Sequence, residues 1–341
     1  MSKSMVGIDI GYDRLKMAVL SGGKVVKSVI LDMPDKMVQQ GRVVSVEAMG
    51  EMIRYALKDN HIRCNNAAVL LSNENILIRN VTMPIMTADQ LNYNLPYEFR
   101  DYITEELKDY VFDYAMLDEP EVIQKKAENK EKNEKDDDES SHSMDLLAVA
   151  APKELIEDTR DMTRKAGLHL RQAAPVVTAY SNLLKLQENK DRECCILDLG
   201  HHSVRMYIFK DDRHMVTREL ENGLVRLEEI VADKFNVDRH LAHTYIQTNH
   251  ENCQYSEECM NFYNQAAIEL MRAVNFYQFS NPDSALEDAF ICGGGALIAP
   301  FVETLKQNIK LNYLSVSSLI PGGDKTTDAE SVLQAVGIAL E

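Results

Sequence analysis

Val6-Gly-Ile-Asp9-Ile-Gly11, running on to a Gly22-Gly23 turn, and Cys195-Ile-Leu-Asp198-Leu-Gly200, running on to an Asp211-Asp212 turn, repeat one design at a constant offset in a chain of 341 residues. Internal duplication decides a fold more firmly than local propensity does. In each copy an apolar run ends in Asp-x-Gly. Leu15, Met17 and Val19, or Val204, Met206 and Ile208, then alternate with other residues before a tight turn. Each copy reads as a β-hairpin whose first bend carries a carboxylate. A glycine two residues after the aspartate lets a ligand approach the backbone, and successive N–H groups at such a bend make an anion-binding concavity. Two such bends facing one another are expected to grip a phosphate tail, with Asp9 and Asp198 holding its hydrated Mg²⁺. The competing reading is that both aspartates only cap their bends.

A third element completes the pattern. Ala289-Phe-Ile-Cys292 is a short apolar run leading into Gly293, Gly294 and Gly295, and Ala296 to Gln307 is helix-like. A glycine bend entering a helix N-terminus suits a phosphate or a nucleotide pressed against backbone. Other phosphate motifs fail: Gly23-Lys24 is followed by Val25, so there is no Walker loop, and Ile298 stands where a dinucleotide fingerprint needs its last glycine.

The formal charge of −17 argues against nucleic acid and anionic lipid surfaces, since the one long basic run, Lys125 to Lys135, is interleaved with acids. The start, Met1-Ser-Lys-Ser-Met-Val, lacks the apolar core of a signal peptide, and no stretch approaches about 18 uninterrupted apolar residues. A cytoplasmic protein with no direct membrane insertion is expected. The six cysteines read as reduced thiols. His240, His243, His250, Cys253 and Cys259 offer zinc-type ligands, but their spacing matches no familiar finger, and ordinary histidines and core thiols are the better reading.

The pattern predicts an α/β chain of two lobes with an inserted α+β subdomain in the first. Residues 1–32, 153–190 and 322–341 form the first-lobe core, 191–223 and 285–321 the second-lobe core, and 224–284 the outer helical part of the second lobe. The insert is placed at 33–152, with a helix over 45–60, strands over 67–71 and 76–83, a longer helix over 87–102, and strands over 111–117 and 144–150 of one small sheet. Between the last two strands, 124–143 has almost no apolar residues and is expected to be a flexible hairpin loop. Helices are predicted over 153–167, 178–186, 224–235, 239–248, 256–279 and 329–340, the last packing back on lobe one.

These residues resemble the actin and Hsp70 superfamily, bilobed with ribonuclease H-like lobes, and more narrowly the PilM family of type IV pilus assembly. The resemblance covers nearly the whole chain. It rests on Gly7-Ile-Asp-Ile-Gly11 with Lys16, Met83-Pro84, Tyr97-Glu98, Asp113-Tyr114, Ala148-Val-Ala-Ala-Pro-Lys153, Asp198-Leu-Gly200, Glu269-Leu-Met-Arg272, Gly293-Gly-Gly295 and Val336-Gly-Ile-Ala-Leu340, in that order. It implies ATP and Mg²⁺ in the cleft between the lobes, with Asp9 and Asp198 on the metal through water. Lys16, Gly11, Gly200, Ser203 and the Gly293–Gly295 bend would lie around the nucleotide. It also implies a PilN-like membrane protein whose cytoplasmic tail lies in a groove between lobe one and the insert, with the 91–102 helix as one wall. Other pilus or secretion inner-membrane platform components, a homo-oligomer, and a place on the inner face of the cell membrane through a partner belong to the same expectation.

Four departures bear on turnover. Tyr12 replaces a small hydroxyl residue where the phosphates should sit, and His201 and His202 are likewise large. Pro175 and Val176 stand where a polar water-orienting group is often found, and Ala242 to Tyr245 lacks an acidic and basic ribose-contacting pair. Nucleotide binding with slow or absent hydrolysis is expected, making the protein an adaptor and at most a weak ATPase. The alternatives are a small-molecule kinase of the same superfamily and an FtsA-like division protein, for which no C-terminal amphipathic membrane helix is read.

Overall fold

A computed structural model describes residues 4–117, 143–187, 192–322, 326 and 328–340. The loop expected at 124–143 lies outside the described residues except for Ser143, which begins a strand. Both duplicated hairpins form. The first is β1 (Met5–Ile10), β2 (Arg14–Ser21) and β3 (Lys24–Asp32), turning at Gly22 and Gly23, both with positive φ. A small pair, β4 (Val38–Gln39) and β5 (Arg42–Val43), precedes α1 (Val46–Asp59), which Ser45 caps by accepting from the Ala48 N–H. Then come β6 (Asn66–Leu71), β7 (Leu77–Pro84), α2 (Ala88–Asn94), β8 (Tyr110–Met116), β9 (Ser143–Pro152), α3 (Lys153–Lys165), β10 (His169–Pro175) and α4 (Val176–Lys185).

The second lobe runs β11 (Glu193–Leu199), β12 (Val204–Lys210), β13 (Arg213–Leu220), α5 (Leu224–Phe235), α6 (Arg239–Thr248), α7 (Glu257–Ser280), β14 (Leu286–Cys292), α8 (Ala299–Asn308) and β15 (Asn312–Leu314). The C-terminal helix is α9 (Ala329–Ala339).

The two five-stranded sheets share one topology. Their orders, β3-β2-β1-β6-β10 and β13-β12-β11-β14-β15, are the same sequence of steps, antiparallel through the hairpin and parallel beyond it. Helices α4 and α9 lie between the sheets in a core that both lobes share, including Tyr180, Tyr207, Phe209, Phe290 and Val336. A Cβ on Gly7 of β1 would fall 1.8 Å from the Ala335 carbonyl oxygen, so the missing side chain is what lets α9 lie against β1.

Four expectations are corrected. The segment 46–71 belongs to lobe one rather than to the insert: β6 pairs in parallel with both β1 and β10, and α1 buries Met49, Ile53 and Ala56 against Ile8 and Met17. The small sheet is therefore β7-β9-β8 alone, with its own core around Leu91, Phe99 and Leu146. The helix expected over 87–102 ends at Asn94 and continues as a 3₁₀ turn, Leu95–Phe99, because Pro96 has no N–H to give. The strand β10 was not anticipated. Finally, the glycine bend enters a 3₁₀ turn, Gly294–Leu297, before α8 begins with Pro300 in its first turn. Among the described residues, no helix is long and apolar enough to cross a membrane.

Candidate functional site

The ladder registers place a cation opposite each aspartate: Asp9 faces Lys16 in the first hairpin, and Asp198 faces Arg205 in the second. Directly opposed residues share a sheet face, so each corner presents an acid and a base together. Both corners open on one cleft of about 400 Å³ between the lobes. Asp9 and Asp198 are buried there. Lys16 Nζ donates to Asp9 Oδ2 at 3.1 Å. Burial would pull the Lys16 pKa down, but the fields of Asp9 and Asp198 outweigh it and hold the ammonium above its ordinary range. Burial raises Asp198, against the pull of Lys16, Arg205 and a hydrogen bond from Gln334. That bond, from Gln334 Nε2 to Asp198 Oδ2, is 2.7 Å long, and the same amide donates to Tyr180 Oη at 2.8 Å.

The two turns match in detail. Gly11 N–H donates to the Arg14 carbonyl at 3.0 Å, and Gly200 N–H to the Ser203 carbonyl at 3.1 Å. Closing the turns engages these two N–H groups, so any donors to a phosphate at the bends are the N–H groups around the glycines. Of the three glycines after β14, only Gly294 lines the cleft. Gly293, at φ +84°, backs onto Asp198, where a Cβ would lie 2.7 Å from Oδ1, and a Cβ on Gly295 would lie 2.6 Å from Leu199 Cβ. Ser203 is buried in the cleft wall. Burial works against ionisation of Glu219, but the hydrogen bond from Arg205 outweighs it and holds the carboxyl below its ordinary range.

The large residues at the corners are tied across the cleft. The Tyr12 ring stacks on His202 with centroids 4.4 Å apart. Its hydroxyl donates to Glu74 Oε2 at 2.5 Å and accepts from the Gly41 N–H at 2.6 Å. Burial and Glu74 push the phenol pKa far up. His201 Nε2 lies 3.0 Å, and His243 Nδ1 2.8 Å, from Oε1 of the buried Glu228. Burial opposes ionisation of Glu228, but these two hydrogen bonds prevail and bring its pKa to about 2. The same bond raises His243.

Asp13, Glu228 and His243 form the one group among the described residues whose metal-ligating atoms lie within 4.8 Å of one another. Arg14, 3.5 Å from Asp13, and Arg239, 3.2 Å from Glu228, already balance its acids. The other zinc-type residues go elsewhere: His240 pairs with Asp35 at 3.0 Å, His250 packs on Tyr245, and Cys253 and Cys259 are buried thiols.

Sequence reasoning missed Arg205, Glu228 and Gln334. Arg205 had a signal, since it follows Lys16 by the same offset that separates Asp9 from Asp198. Glu228 and Gln334 sit on helices whose faces only the tertiary packing turns to the cleft.

The residues fit a Mg²⁺–polyphosphate in charge. Two buried carboxylates stand where a hydrated divalent ion would be held, and beside them is a guanidinium whose Nε is buried without a hydrogen-bond acceptor.

Two sheets of one topology, each ending in an acid-bearing corner and facing each other over a cleft, define an actin-like protein. The chain belongs to the family of the type IV pilus assembly protein PilM, whose model matches residues 7–340. No curated protein matches it in sequence. Among solved structures it is similar to a PilM–PilN type IV pilus biogenesis complex (TM-score 0.79, 20% identity, covering 100% of this chain and 98% of that one). It is also similar to the ethanolamine utilization protein EutJ from Carboxydothermus hydrogenoformans (0.62, 12%, 100% and 90%) and to MreB5 of Spiroplasma citri bound to ADP (0.51, 11%, 98% and 94%). These likenesses are likenesses of fold.

Proposed function

We propose that the chain is a cytoplasmic actin-like adaptor of a type IV pilus or related secretion assembly. It binds MgATP between the corners, turns it over slowly or not at all, and holds the cytoplasmic tail of a PilN-like membrane protein, which keeps it at the inner face of the membrane. The observation that carries this reading is the family match from residue 7 to residue 340, supported by the likeness of fold to a chain of a PilM–PilN type IV pilus biogenesis complex.

Slow turnover is supported by two features of the cleft. Val176, which cannot orient water, lines it, and the Tyr12–His202 ring pair bridges the two corners. For the tail, the insert offers a face of its own. Leu91, Leu95 and Phe99 are buried inward, while Tyr93, Tyr97 and Tyr102 stand exposed, with Arg79 stacked 4.1 Å over Tyr102. Rigid aromatics of this kind suit capture of a short segment.

The test is titration of the full chain with a peptide copying the cytoplasmic tail of a PilN-like neighbour, alongside calorimetry with MgATP and a steady-state phosphate-release assay. Tail binding that weakens in Tyr97→Ala, with nucleotide bound and little phosphate released, is the expected result. Absence of tail binding, or brisk phosphate release, refutes the corresponding half.

A further inference from the structure

Lys16 is spoken for: its ammonium sits on Asp9 in a buried pair. Its counterpart in the duplicated hairpin, Arg205, is engaged only in part. One terminal nitrogen of Arg205 pairs with Glu219 Oε1 at 2.8 Å, but Nε is buried without any hydrogen-bond acceptor. Arg205 lines the cleft and stands across the ladder from Asp198, whose Oδ2 accepts from Gln334. A guanidinium keeps its charge at any working pH and offers donors in a rigid fork that matches phosphate oxygens. A buried donor without an acceptor is costly, so the guanidinium gains by turning towards an oxygen that enters the cleft it lines.

Leu224, Ile246, Leu297 and Ile298, from α5, α6 and the turn after β14, supply apolar lining, while the lysine and arginines of the lining, Arg14, Lys16 and Arg205, all come from the two hairpins. A nucleotide with its base on the apolar side sends its outer phosphates towards Arg205 and Lys16.

We propose that Arg205 reads the terminal phosphate of a nucleoside triphosphate, so that the cleft distinguishes tri- from diphosphate by two cations placed at equivalent points of the two hairpins. This rests on the nucleotide reading given under Proposed function. Lys16 neutralises the metal-side acids and serves both nucleotides, and Arg205 supplies the difference between them.

The test is calorimetric titration of the full chain with MgATP, MgADP and magnesium tripolyphosphate, for the native protein and for Arg205→Met, Arg205→Lys and Lys16→Met. The native chain is expected to bind MgATP about 10-fold or more tighter than MgADP, in keeping with one charge-assisted contact. Arg205→Met is expected to bring the two affinities within about 3-fold of each other, and Lys16→Met to weaken both. Arg205→Lys retains the charge and stem and is expected to keep part of the discrimination while losing the fork; it also answers the question if the methionine variant does not fold. Tripolyphosphate binding should fall with Arg205 as MgATP binding does. An unchanged ATP-to-ADP ratio in folded Arg205→Met or Arg205→Lys overturns the inference while leaving nucleotide binding standing. No binding of either nucleotide by the native chain overturns the nucleotide reading and the inference together.

Discussion

Gly7→Ala tests the contact on which the shared core of the two lobes depends. The new Cβ would lie 1.8 Å from the Ala335 carbonyl oxygen and 3.0 Å from Ala339 Cβ, where ordinary contact begins at 3.4 Å. Helix α9 or strand β1 must therefore give by about 1.6 Å. The opposing atom is backbone, so no side-chain rotation relieves it. Every residue of α9 except Glu330 is buried, so the helix cannot move without disturbing the core on all sides. Overpacking of this kind costs about 1–3 kcal/mol, and a carbonyl as the obstacle puts it near the upper end, at ~3 kcal/mol. With an unfolding entropy of roughly 2.1 cal/mol/K per residue, a cooperative chain of this size should melt ~4 °C lower. Because Gln334 rides on α9, the Asp198 hydrogen bond should loosen as well, weakening MgATP binding. Far-UV circular dichroism during heating measures the first effect and calorimetry the second. Gly22→Ala is the comparison: its φ of 62° is unfavourable for alanine, but a Cβ there meets nothing within 4 Å, so it should cost only ~1–2 kcal/mol. A Gly7→Ala protein melting within about 1 °C of the native chain would refute the close-packing argument.

Three further outcomes are expected. Gln334→Leu strips hydrogen bonds from the buried Asp198 carboxylate and Tyr180 hydroxyl together, and should cost ~2–3 kcal/mol in denaturant unfolding; a loss below ~0.5 kcal/mol would mean that other donors serve those groups. Tyr12→Ala removes a ring stack worth ~1 kcal/mol, and if the rings must part before phosphate enters, MgATP binding should tighten about 5-fold; unchanged affinity would mean that phosphate passes beside the stack. His214 has its pKa depressed to about 4 by burial, below the 6.5 of an unfolded histidine. Its neutral form therefore supports the fold above pH 6.5, and that support is lost as pH falls from 6.5 through 4, by up to ~3 kcal/mol. Unfolding curves of His214→Asn should lose that part of the pH slope, and an unaltered slope would show that the imidazole titrates freely.

What could be read from the sequence was what local order encodes. The Asp-x-Gly hairpins declare themselves through period-two alternation and paired turns, and the structure returns both with the same register. Parallel pairing leaves no such trace. Ala67 to Leu71 is buried on both faces beside β1, and a short apolar run of that kind says nothing about which sheet it joins, so its place in the chain alone assigns it to the insert. The strand β10 lies at the edge of its sheet, carries His169, Arg171 and Gln172, and ends in Pro175, so neither composition nor periodicity marks it. At the site, Asp9 and Asp198 were legible because each belongs to a repeated motif, and Lys16 because it belongs to the family resemblance.

The residues that looked like departures show what single-position reading cannot reach. Judged alone, Tyr12, His201 and His202 are side chains too large for a phosphate loop. In the fold Tyr12 stacks on His202 of the opposite lobe, and His201 braces the buried Glu228, which also holds His243 within 3.9 Å of Asp13 in lobe one. His240 and Asp35 add another contact between the lobes. Bulk at the corners has been turned into attachment between the lobes: separating them breaks a ring stack and two histidine–aspartate contacts, and anything entering between the hairpins must compete with those same contacts. Under the adaptor role proposed above, a cleft built this way would favour a held state over rapid cycling.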